Sequence, residues 1–288
     1  MNLSDITTIK NVLSRHGFNF SKSLGQNFLI NPEVCPEMTQ ECGAGKGVGV
    51  LEIGPGVGVL TAELAKRAEK VISVELDKRL LPVLKETLAE FDNVKILQDD
   101  ILKIDINKLI AEEFAGMEVV VCANLPYYIT SPVIMRFLEE RLPIRKMTVM
   151  VQKEAAERLC ALPGCRACGA VSAAVQYFAE PRILFQVPRG SFFPQPNVDS
   201  AVIQLDVRKE PCIQINSEKN FFKTVKAAFG QRRKTVLNAA SAGLSMPKEQ
   251  VLSALERAEI QPGARAEQLT MEQLAALSNE LFPEEEKA

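Results

Sequence analysis

Three glycines at alternate positions, Gly54, Gly56 and Gly58, follow an apolar run and precede a helical pattern. Glycines at such a strand-to-helix turn let the backbone bend sharply and approach a ligand closely. Glu75 ends the next apolar run, 21 residues after Gly54, where a carboxylate can accept hydrogen bonds from both hydroxyls of a ribose. This pair predicts a site for a nucleoside cofactor, either NAD or S-adenosylmethionine (AdoMet), over the alternative of a tight turn followed by a surface acid. Val59 occupies the position at which a dinucleotide fingerprint requires glycine, which argues against NAD.

The third apolar run ends in two acids, Asp99 and Asp100. Ligands of open α/β sheets bind at the carboxyl ends of the strands, and a carboxylate there can accept from the exocyclic amine of an adenine. We assign this role to Asp100. Asp99 fits the spacing as well, and capping of a helix N-terminus is the alternative for either residue.

The fourth apolar run ends in Asn124, Leu125, Pro126 and Tyr127, which predict the reaction. This tetrapeptide is close to the motif of enzymes that methylate exocyclic amines of nucleic-acid bases. Adenine N6 is a weak nucleophile because its lone pair is delocalised into the ring. The Asn124 side-chain oxygen and the Leu125 carbonyl can accept its two N–H bonds, which localises that lone pair in the transition state.

The other two residues of the tetrapeptide have supporting roles. Pro126 stiffens the turn, and Tyr127 can stack on a flipped base. Transfer from a sulfonium is an in-line displacement that depends on positioning, so no general base is required. A buried Asn that caps a turn among core aromatics is the alternative.

The elements that must position these residues alternate between strands and helices. Strands are predicted at 48–53, 70–75, 94–98, 118–123 and 147–152, with helical patterns such as 60–67 and 78–91 between them. This order indicates an α/β fold with a parallel sheet and helices on both faces. The β-rich, proline-interrupted stretch from Ala173 to Val207 predicts an antiparallel hairpin added to the sheet.

The strand signal ends after Val207, and helices are predicted at 221–240, 248–258 and 266–281. We therefore divide the chain into residues 1–207, which carry the cofactor motifs, and a small α-helical C-terminal domain at 208–288. The acidic tail Glu284–Glu286 is expected to be solvated and frayed.

The charge of the chain is unevenly distributed although it sums to only −2. The stretch 221–240 contains five cations and no acid, and the N-terminal segment adds Lys10, Arg15 and Lys22. We expect Arg232, Arg233 and Lys234 to contact RNA phosphates, whereas the phenylalanines of this stretch belong to the core. Lys153 and Arg158 could add to the basic surface.

Composition excludes several other classes of protein. The chain of 288 residues is 47% hydrophobic and 24% charged, which is typical of a globular protein rather than a disordered one. It has no apolar run long enough for a membrane span and no signal peptide, so we expect a cytoplasmic location with its seven cysteines reduced. The triplet Cys160, Cys165 and Cys168 lacks an evident fourth ligand, so no metal site is predicted. His16 is expected to be a surface or cap residue.

Taken together, these motifs resemble the ribosomal RNA adenine dimethyltransferase family, and within it the bacterial enzymes that act on small-subunit (16S) rRNA. The similarity extends almost from end to end. Its motifs are 23–29, 51–61, 74–77, 98–100, 124–130, 151–154, 193–201 and 229–238.

The resemblance implies a class I (Rossmann-like) methyltransferase fold, AdoMet as methyl donor, and two neighbouring adenosines in a 3′-terminal rRNA hairpin as substrate, each dimethylated. It also implies roles for individual residues. AdoMet contacts are implied for Asn27, Leu29, Gly54, Glu75, Asp100 and Asn124. Asn124 also borders the target N6, and Tyr127 and Phe193 are candidate walls for the target base. The expected partner is small-subunit rRNA or the pre-30S particle, without a membrane, and the protein is expected to be a monomer.

Three other functions compete with this one. A large-subunit rRNA dimethylase that confers antibiotic resistance shares the crevice motifs, but the stretch 199–201 and the pI of about 5.8 favour the small-subunit enzyme. A non-catalytic assembly factor on the same scaffold is disfavoured by the intact glycine turn, Glu75 and Asn124. An NAD-dependent dehydrogenase is disfavoured by Val59 and by the Asn-Leu-Pro-Tyr sequence.

Overall fold

The structure is a computed structural model that describes residues 1–20 and 26–283. Lys22, the first three residues of the motif at 23–29, and the acidic tail Glu284–Glu286 lie outside the described residues. The chain divides into two compact units, one made of Met1–Ala156 and Glu180–Val207, the other of Glu157–Ala179 and the chain from Arg208 onward.

The first unit is built on a twisted sheet flanked by helices. Its strands are β1 (Phe28–Leu29), β2 (Val48–Ile53), β3 (Lys70–Glu75), β4 (Val94–Gln98), β5 (Glu118–Asn124), β6 (Lys146–Gln152), β7 (Ala179–Val187), β8 (Phe192–Phe193) and β9 (Ser200–Val207). Its helices are α1 (Ile6–Arg15), α2 (Val34–Glu41), α3 (Val59–Ala65), α4 (Leu81–Thr87), α5 (Ile106–Glu113) and α6 (Thr130–Glu139), and α7 (Lys153–Leu159) begins in this unit.

Seven strands form the main sheet in the order β4-β3-β2-β5-β6-β9-β7, and β1 pairs with β8 in a separate two-stranded sheet. The pairs from β4 to β6 are parallel, and β9 is antiparallel to β6. Strands β2, β3, β5 and β6 are buried along nearly their whole length, as expected for a parallel sheet with both faces covered. The chain runs from β2 through β3 to β4 and then returns to the other side of β2, so the strand order reverses beside β2, where ligands of such sheets bind.

The sequence-based strands in this unit agree with the structure to within one residue at each end. The prediction for 173–178 was wrong, because Ala170–Phe178 is a helix, α8, whose residues from Ser172 to Phe178 are all buried. A helix without a polar face has no 3.6-residue periodicity to separate it from a buried strand. The β-rich stretch begins only at β7, and β9 supplies the antiparallel addition to the sheet.

The second unit consists of helices. Besides α8 these are α9 (Glu218–Phe229), α10 (Val236–Leu244), α11 (Lys248–Arg257) and α12 (Met271–Leu281). The single helix predicted at 221–240 is two helices, because α9 ends at Gly230 and Thr235 caps α10 by accepting from the Asn238 N–H at 3.4 Å. Residue 208 is one edge of this unit, as in the sequence-based division. Residues 157–179, which that division assigned to the first domain, group with the second unit.

An aromatic cluster explains why residues 157–179 join the second unit. Tyr177 and Phe178 on α8 pack against Phe221 and Phe222 on α9, with ring centroids 5.2 to 5.5 Å apart. The Tyr177 hydroxyl also donates to Glu218 at 3.1 Å. Phe221 is fully buried, in agreement with its expected place in the core.

Two further observations concern the described residues as a whole. None of the helices in 1–20 and 26–283 combines the length and the apolar character needed to cross a membrane. In the same ranges, no cluster of three or more His, Cys, Asp or Glu side chains is arranged to hold a metal ion.

Gly49 in β2 lies so close to the Phe114 ring that a larger side chain would disturb the core. A Cβ atom at Gly49 would be 2.2 Å from Phe114 Cδ1, and Phe114 is itself buried. We expect Gly49→Ala to lower the free energy of unfolding by about 1–3 kcal/mol, the usual cost of overpacking a core. Urea denaturation followed by circular dichroism measures this loss. Gly45→Ala is the matched control, because a Cβ at Gly45 meets nothing within 4 Å. Equal stability of the two variants would contradict the prediction.

Candidate active site

A cavity of about 200 Å³ opens at the carboxyl ends of β2, β3, β5 and β6 in the first unit. Nine residues that the sequence analysis assigned to cofactor or catalysis line it: Asn27, Leu29, Gly54, Glu75, Asp100, Asn124, Leu125, Pro126 and Tyr127. Segments that are far apart in the chain therefore meet at the point where the strand order reverses. Asp99 lines the cavity as well, so the choice between Asp99 and Asp100 stays open.

The glycine turn forms one wall of the cavity. Gly56 has a φ of +61°, and a Cβ there would come within 3.1 Å of the Phe28 ring. Only glycine suits this position without strain or a clash. The turn therefore places main-chain atoms without a side chain at the edge of the cavity. The Gly54 N–H donates to the Val74 carbonyl at 2.9 Å, which ties the turn to β3.

Glu75 lies at the end of β3 with both carboxylate oxygens held by backbone amides. Oε1 accepts from the Asp77 N–H at 2.7 Å and Oε2 from the Gly56 N–H at 3.4 Å. Each oxygen retains a second lone pair, so the carboxylate can also accept from a pair of ligand hydroxyls. Burial raises the pKa of Glu75 to about 7, against the opposing effect of these two N–H donors.

Glu52, which sequence reasoning missed, lies on the floor of the same cavity. Its side chain is completely buried in β2, where Ser73 donates to Oε2 at 2.5 Å. Oε1 has no hydrogen-bond partner among the described residues. Burial raises the pKa of Glu52 to about 7, and the negative charge of Glu75 adds to that rise. The available signal was an acid within an otherwise apolar strand, since such a residue is rarely buried without a partner.

These observations test whether the cavity fits the AdoMet predicted from the sequence. The cavity offers a backbone cradle at Gly56, a carboxylate with unused lone pairs at Glu75, and a buried carboxylate oxygen without a partner at Glu52. A ligand with ribose hydroxyls and a positively charged group satisfies these features. The residues present therefore fit AdoMet.

With Glu75 as the expected acceptor of the ribose hydroxyls, its raised pKa predicts that AdoMet binding depends on pH. Because the pKa lies above its usual 4.5, folding favours the protonated form, and the stability from this group is lost as the pH rises through about 7. Ribose hydroxyls bond best to the ionised form. We expect the AdoMet Kd, measured by calorimetry, to be about tenfold higher at pH 6 than at pH 8. The reason is that the ionised fraction of one group with a pKa of about 7 falls about tenfold over that range.

Two variants identify the group that is responsible for this pH dependence. Glu75→Gln should bind AdoMet more weakly with a nearly flat pH profile. Glu52→Gln is the comparison, since burial also raises the pKa of Glu52 to about 7. A tenfold change that persists in Glu75→Gln would exclude Glu75 as its source.

The end of β5 holds Asn124 in a defined orientation. The Asn124 Nδ2 donates to the Asn27 carbonyl at 3.5 Å, and no described residue donates to Oδ1. The Leu125 N–H donates to the Met150 carbonyl at 3.2 Å, which ties this strand end to β6. The side-chain oxygen of Asn124 is therefore left as an acceptor at the cavity.

Two tyrosines follow on the same loop. The hydroxyl of the half-buried Tyr127 is 2.8 Å from the Ser200 Oγ, which fixes the ring beside the cavity. Tyr128, which sequence reasoning did not single out, also lines the cavity and is 53% exposed. Its position next to Tyr127 was the only available signal.

Asp100 is held in a local turn. Its Oδ1 accepts from the Leu102 N–H at 3.0 Å, and Lys103 lies 3.3 Å from Oδ2. These contacts stabilise a turn and not a helix N-terminus, because the next helix, α5, begins at Ile106 and is capped by Asp105. Asp100 lines the cavity all the same, so a contact with an adenine amine stays a prediction.

The N-terminal segment borders the cavity through Gln26, Asn27 and the pairing of β1 with β8. Gln26 Nε2 donates to Asp77 at 2.8 Å, and Arg79 forms an ion pair with the same carboxylate. The hydrogen bonds from Arg79 hold the pKa of Asp77 below its usual range.

Phe193 is not among the residues that line the cavity, whereas its neighbour Phe192 is. Consecutive strand residues point to opposite faces, so only one of the two can face the cavity. The Phe193 ring packs edge-on against Phe20, with centroids 5.5 Å apart, and lies beneath the Lys10 ammonium. A contact between Phe193 and the target base stays a prediction.

Arg15 and His16 of the N-terminal segment have an acidic partner within the first unit. Arg15 pairs with Glu86, and His16, which caps the end of α1, contacts the same carboxylate at 2.7 Å. These contacts reduce the positive charge that the segment offers to RNA.

Arg232, Arg233 and Lys234 lie in the second unit, on the turn between α9 and α10, and all three are exposed. None of them forms an ion pair with a described residue, although Arg232 Nη2 donates to the Arg166 carbonyl at 3.5 Å. We call these three residues the basic turn.

Comparison with known proteins identifies the family to which this chain belongs. The profile of the family described as "Ribosomal RNA adenine dimethylase" matches residues 17–282. The chain belongs to this family.

Curated relatives in the dimethylase family match nearly the whole chain. The protein named "Ribosomal RNA small subunit methyltransferase A" is 50% identical over 278 residues in Geobacillus thermodenitrificans (strain NG80-2), covering 95% of both chains. The protein of the same name in Clostridioides difficile (strain 630) is 46% identical and covers 96% of both.

Solved structures of rRNA methyltransferases have the same fold. The 23S rRNA methyltransferase ErmE is 28% identical with a TM-score of 0.69, covering 88% of this chain and 99% of ErmE. A dimethyladenosine transferase from Plasmodium falciparum is 25% identical with a TM-score of 0.70, covering 87% of this chain and 95% of its own. The chain is thus an AdoMet-dependent rRNA adenine dimethyltransferase with a class I methyltransferase fold.

Proposed function

We propose that this enzyme methylates N6 of two adjacent adenosines in the 3′-terminal hairpin of small-subunit (16S) rRNA, giving N6,N6-dimethyladenosine during ribosome biogenesis. Relatives named for the small subunit are 46–50% identical to the chain, whereas ErmE, which acts on 23S rRNA, is 28% identical. This difference supports the small-subunit target over the large-subunit one. The observation that carries the chemistry is Asn124, whose Nδ2 is engaged and whose Oδ1 is left as an acceptor.

AdoMet supplies a methyl group bonded to a positively charged sulfur. The chain must hold this group and exclude water, and the residues proposed for that task are Asn27, Leu29, Gly54, Glu75, Asp100 and Asn124. Glu75 would accept from the ribose hydroxyls, and Asp100 from the adenine amine of the cofactor. The apolar part of the cavity wall, including Leu29, would keep solvent from the reacting atoms.

On the substrate side, Asn124 Oδ1 and the Leu125 carbonyl accept the two N–H bonds of the target amine in the first transfer to each adenosine. In the second transfer one of them accepts the single N–H that remains. These bonds strengthen as N6 becomes tetrahedral, because positive charge develops on the nitrogen as the new N–C bond forms. The methyl group that AdoMet would supply leaves its bonding electron pair on sulfur, and the proton displaced from N6 would go to water. Tyr127 would stack on the flipped base, a contact typically worth about 1–3 kcal/mol, and its bond to Ser200 keeps the ring in place.

The basic turn of the second unit is the proposed contribution of residues 208–288 to RNA binding. Its three exposed cations lack acidic partners among the described residues, which leaves their charge available to phosphates. The proposed partner is small-subunit rRNA within the pre-30S particle, and the proposed place of action is the cytoplasm, where ribosomes assemble. We also propose that one chain acts as a monomer, because the described residues of a single copy line the cavity.

Transfer of tritium from labelled AdoMet to ribosomal subunits tests the proposal. Small subunits that lack the modification should accept up to four methyl groups per particle, two on each adenosine. Large subunits and DNA should accept none. Label in large subunits instead would establish the resistance-type target, and binding to small subunits without transfer would favour a non-catalytic assembly factor.

A further inference from the structure

A second cavity, of about 350 Å³, lies in the first unit at the end of β6 and is not used by the mechanism above. Its walls come from Gln152, Lys153 and Glu154, from Arg189, and from the loop at 197–199.

Hydrogen bonds fix the backbone around this second cavity. The Asp199 carbonyl accepts from the Lys153 N–H at 3.0 Å, and Asp199 Oδ1 accepts from the Arg189 N–H at 2.9 Å. Arg189 Nη1 reaches the Asn197 carbonyl at 3.4 Å. Three segments of the chain are thereby held at fixed positions around one space.

Two cations of the second cavity have no acidic partner. Neither the Lys153 ammonium nor the Arg189 guanidinium forms an ion pair with any residue that the structure describes. Glu154 and Asp199 also line the space, so its formal charge is balanced. Such a lining suits one phosphate with hydroxyl or amine donors beside it, which is what a nucleotide offers, better than it suits a free polyanion.

The second cavity adjoins the active site. Met150 lines the active-site cavity and Gln152 the second one, and these residues lie two positions apart on β6, or ~7 Å along the strand. Asp199 directly precedes Ser200, the first residue of β9, whose Oγ is bonded to the Tyr127 hydroxyl. An exposed apolar side chain, Val198, lies at the rim and can contact a base.

We propose that the second cavity binds the nucleotide next to the target adenosine, with Lys153 and Arg189 on one of the two phosphates that flank the target. The assignment rests on the proposed function, because it requires a target base within a polynucleotide. Through this second cavity the enzyme would bind the neighbouring nucleotide as well as the flipped base. Lys153 and Arg189 are positioning residues, since they touch the substrate chain and not the reacting atoms.

Replacement of both cations, Lys153→Gln with Arg189→Gln, tests the proposal on a 16S hairpin RNA and AdoMet. Losing one phosphate contact should weaken RNA binding about fivefold at 0.1 M salt and reduce the slope of log K against log[salt] by ~0.7. With unmodified small subunits as the methyl acceptor, the KM should rise by the same factor while kcat stays within about twofold, and the AdoMet Kd should not change. A matched control, Lys46→Gln with Arg67→Gln, removes two exposed cations near the opposite ends of the strands. It should keep RNA binding within about twofold of wild type, through the lost long-range attraction alone, and leave the salt slope and the AdoMet Kd unchanged.

A second arm identifies the contacted phosphate. Each phosphate that flanks the target is replaced in turn by a neutral methylphosphonate. Replacement of one of the two phosphates should weaken RNA binding to wild-type enzyme by the same factor of about five. The same replacement should not weaken RNA binding to the double variant any further. Additive losses at both positions would overturn the second cavity as a phosphate site. Wild-type enzyme that binds unmodified small subunits without methylating them would sink the proposed function instead, because RNA binding is measured separately from transfer.

Discussion

Replacing Asn124 by alanine is expected to lower methyl transfer at least about a hundredfold while the AdoMet Kd stays within about tenfold. The reason is that different groups of the site hold the cofactor and the target amine. Glu75 and the glycine turn provide groups for the cofactor that the change does not touch, whereas Asn124 Oδ1 is the proposed acceptor for the target amine. Removing one pre-organised group that stabilises developing charge typically costs 10²–10³ in kcat. Single-turnover transfer with enzyme in excess measures the chemical step, and calorimetry measures AdoMet binding.

A matched control separates this effect from a general loss of stability. Asn107→Ala changes the same residue type at an exposed position of α5, and it should leave transfer and binding unchanged. Turnover of Asn124→Ala equal to that of wild-type enzyme would refute the mechanism. A parallel loss of AdoMet binding by more than a hundredfold would assign Asn124 chiefly to the cofactor.

Local sequence was sufficient to predict the parallel strands and the residues at their carboxyl ends. Strand β3, for example, is an apolar run bounded by charges, and its final residue, Glu75, reaches the cavity because parallel strands end at one edge of the sheet. The same reasoning placed Asn124 at the end of β5. These predictions succeeded because they depend on chain order and strand direction, not on packing.

Packing decided the features that sequence could not supply. The apolar residues of α8 suggested a strand, and only burial on every side identifies them as helix. Residues 157–179 join the second unit because Tyr177 meets Phe221 and Phe222, which lie more than 40 positions away in the chain. Glu52 was overlooked because its unpartnered oxygen becomes apparent only when the neighbouring side chains are placed.

Neutralising the basic turn is expected to weaken rRNA binding by about two to three orders of magnitude at 0.1 M salt. Each phosphate contact contributes about −0.7 to −0.9 to the slope of log K against log[salt]. Losing three contacts should therefore reduce the magnitude of this slope by ~2–3, which corresponds to the expected loss of affinity at 0.1 M salt. The variant replaces Arg232, Arg233 and Lys234 by glutamine, all at exposed positions, so the fold should be retained. Filter binding of 16S hairpin RNA from 50 to 200 mM salt provides both numbers.

The control must remove the same charge from the same unit, because any loss of three cations weakens long-range attraction to RNA. Lys209, Lys219 and Lys248 are exposed and have no ion pair with a described residue, so their triple replacement by glutamine is matched in charge. We expect that variant to slow association slightly and to keep the slope within about one unit of wild type. If the two triple variants have equal slopes, the basic turn contributes only net charge, and the RNA contact of the second unit lies on another surface. A slope that falls only in the basic-turn variant would establish direct contact, because counterions are released only where a phosphate is bound.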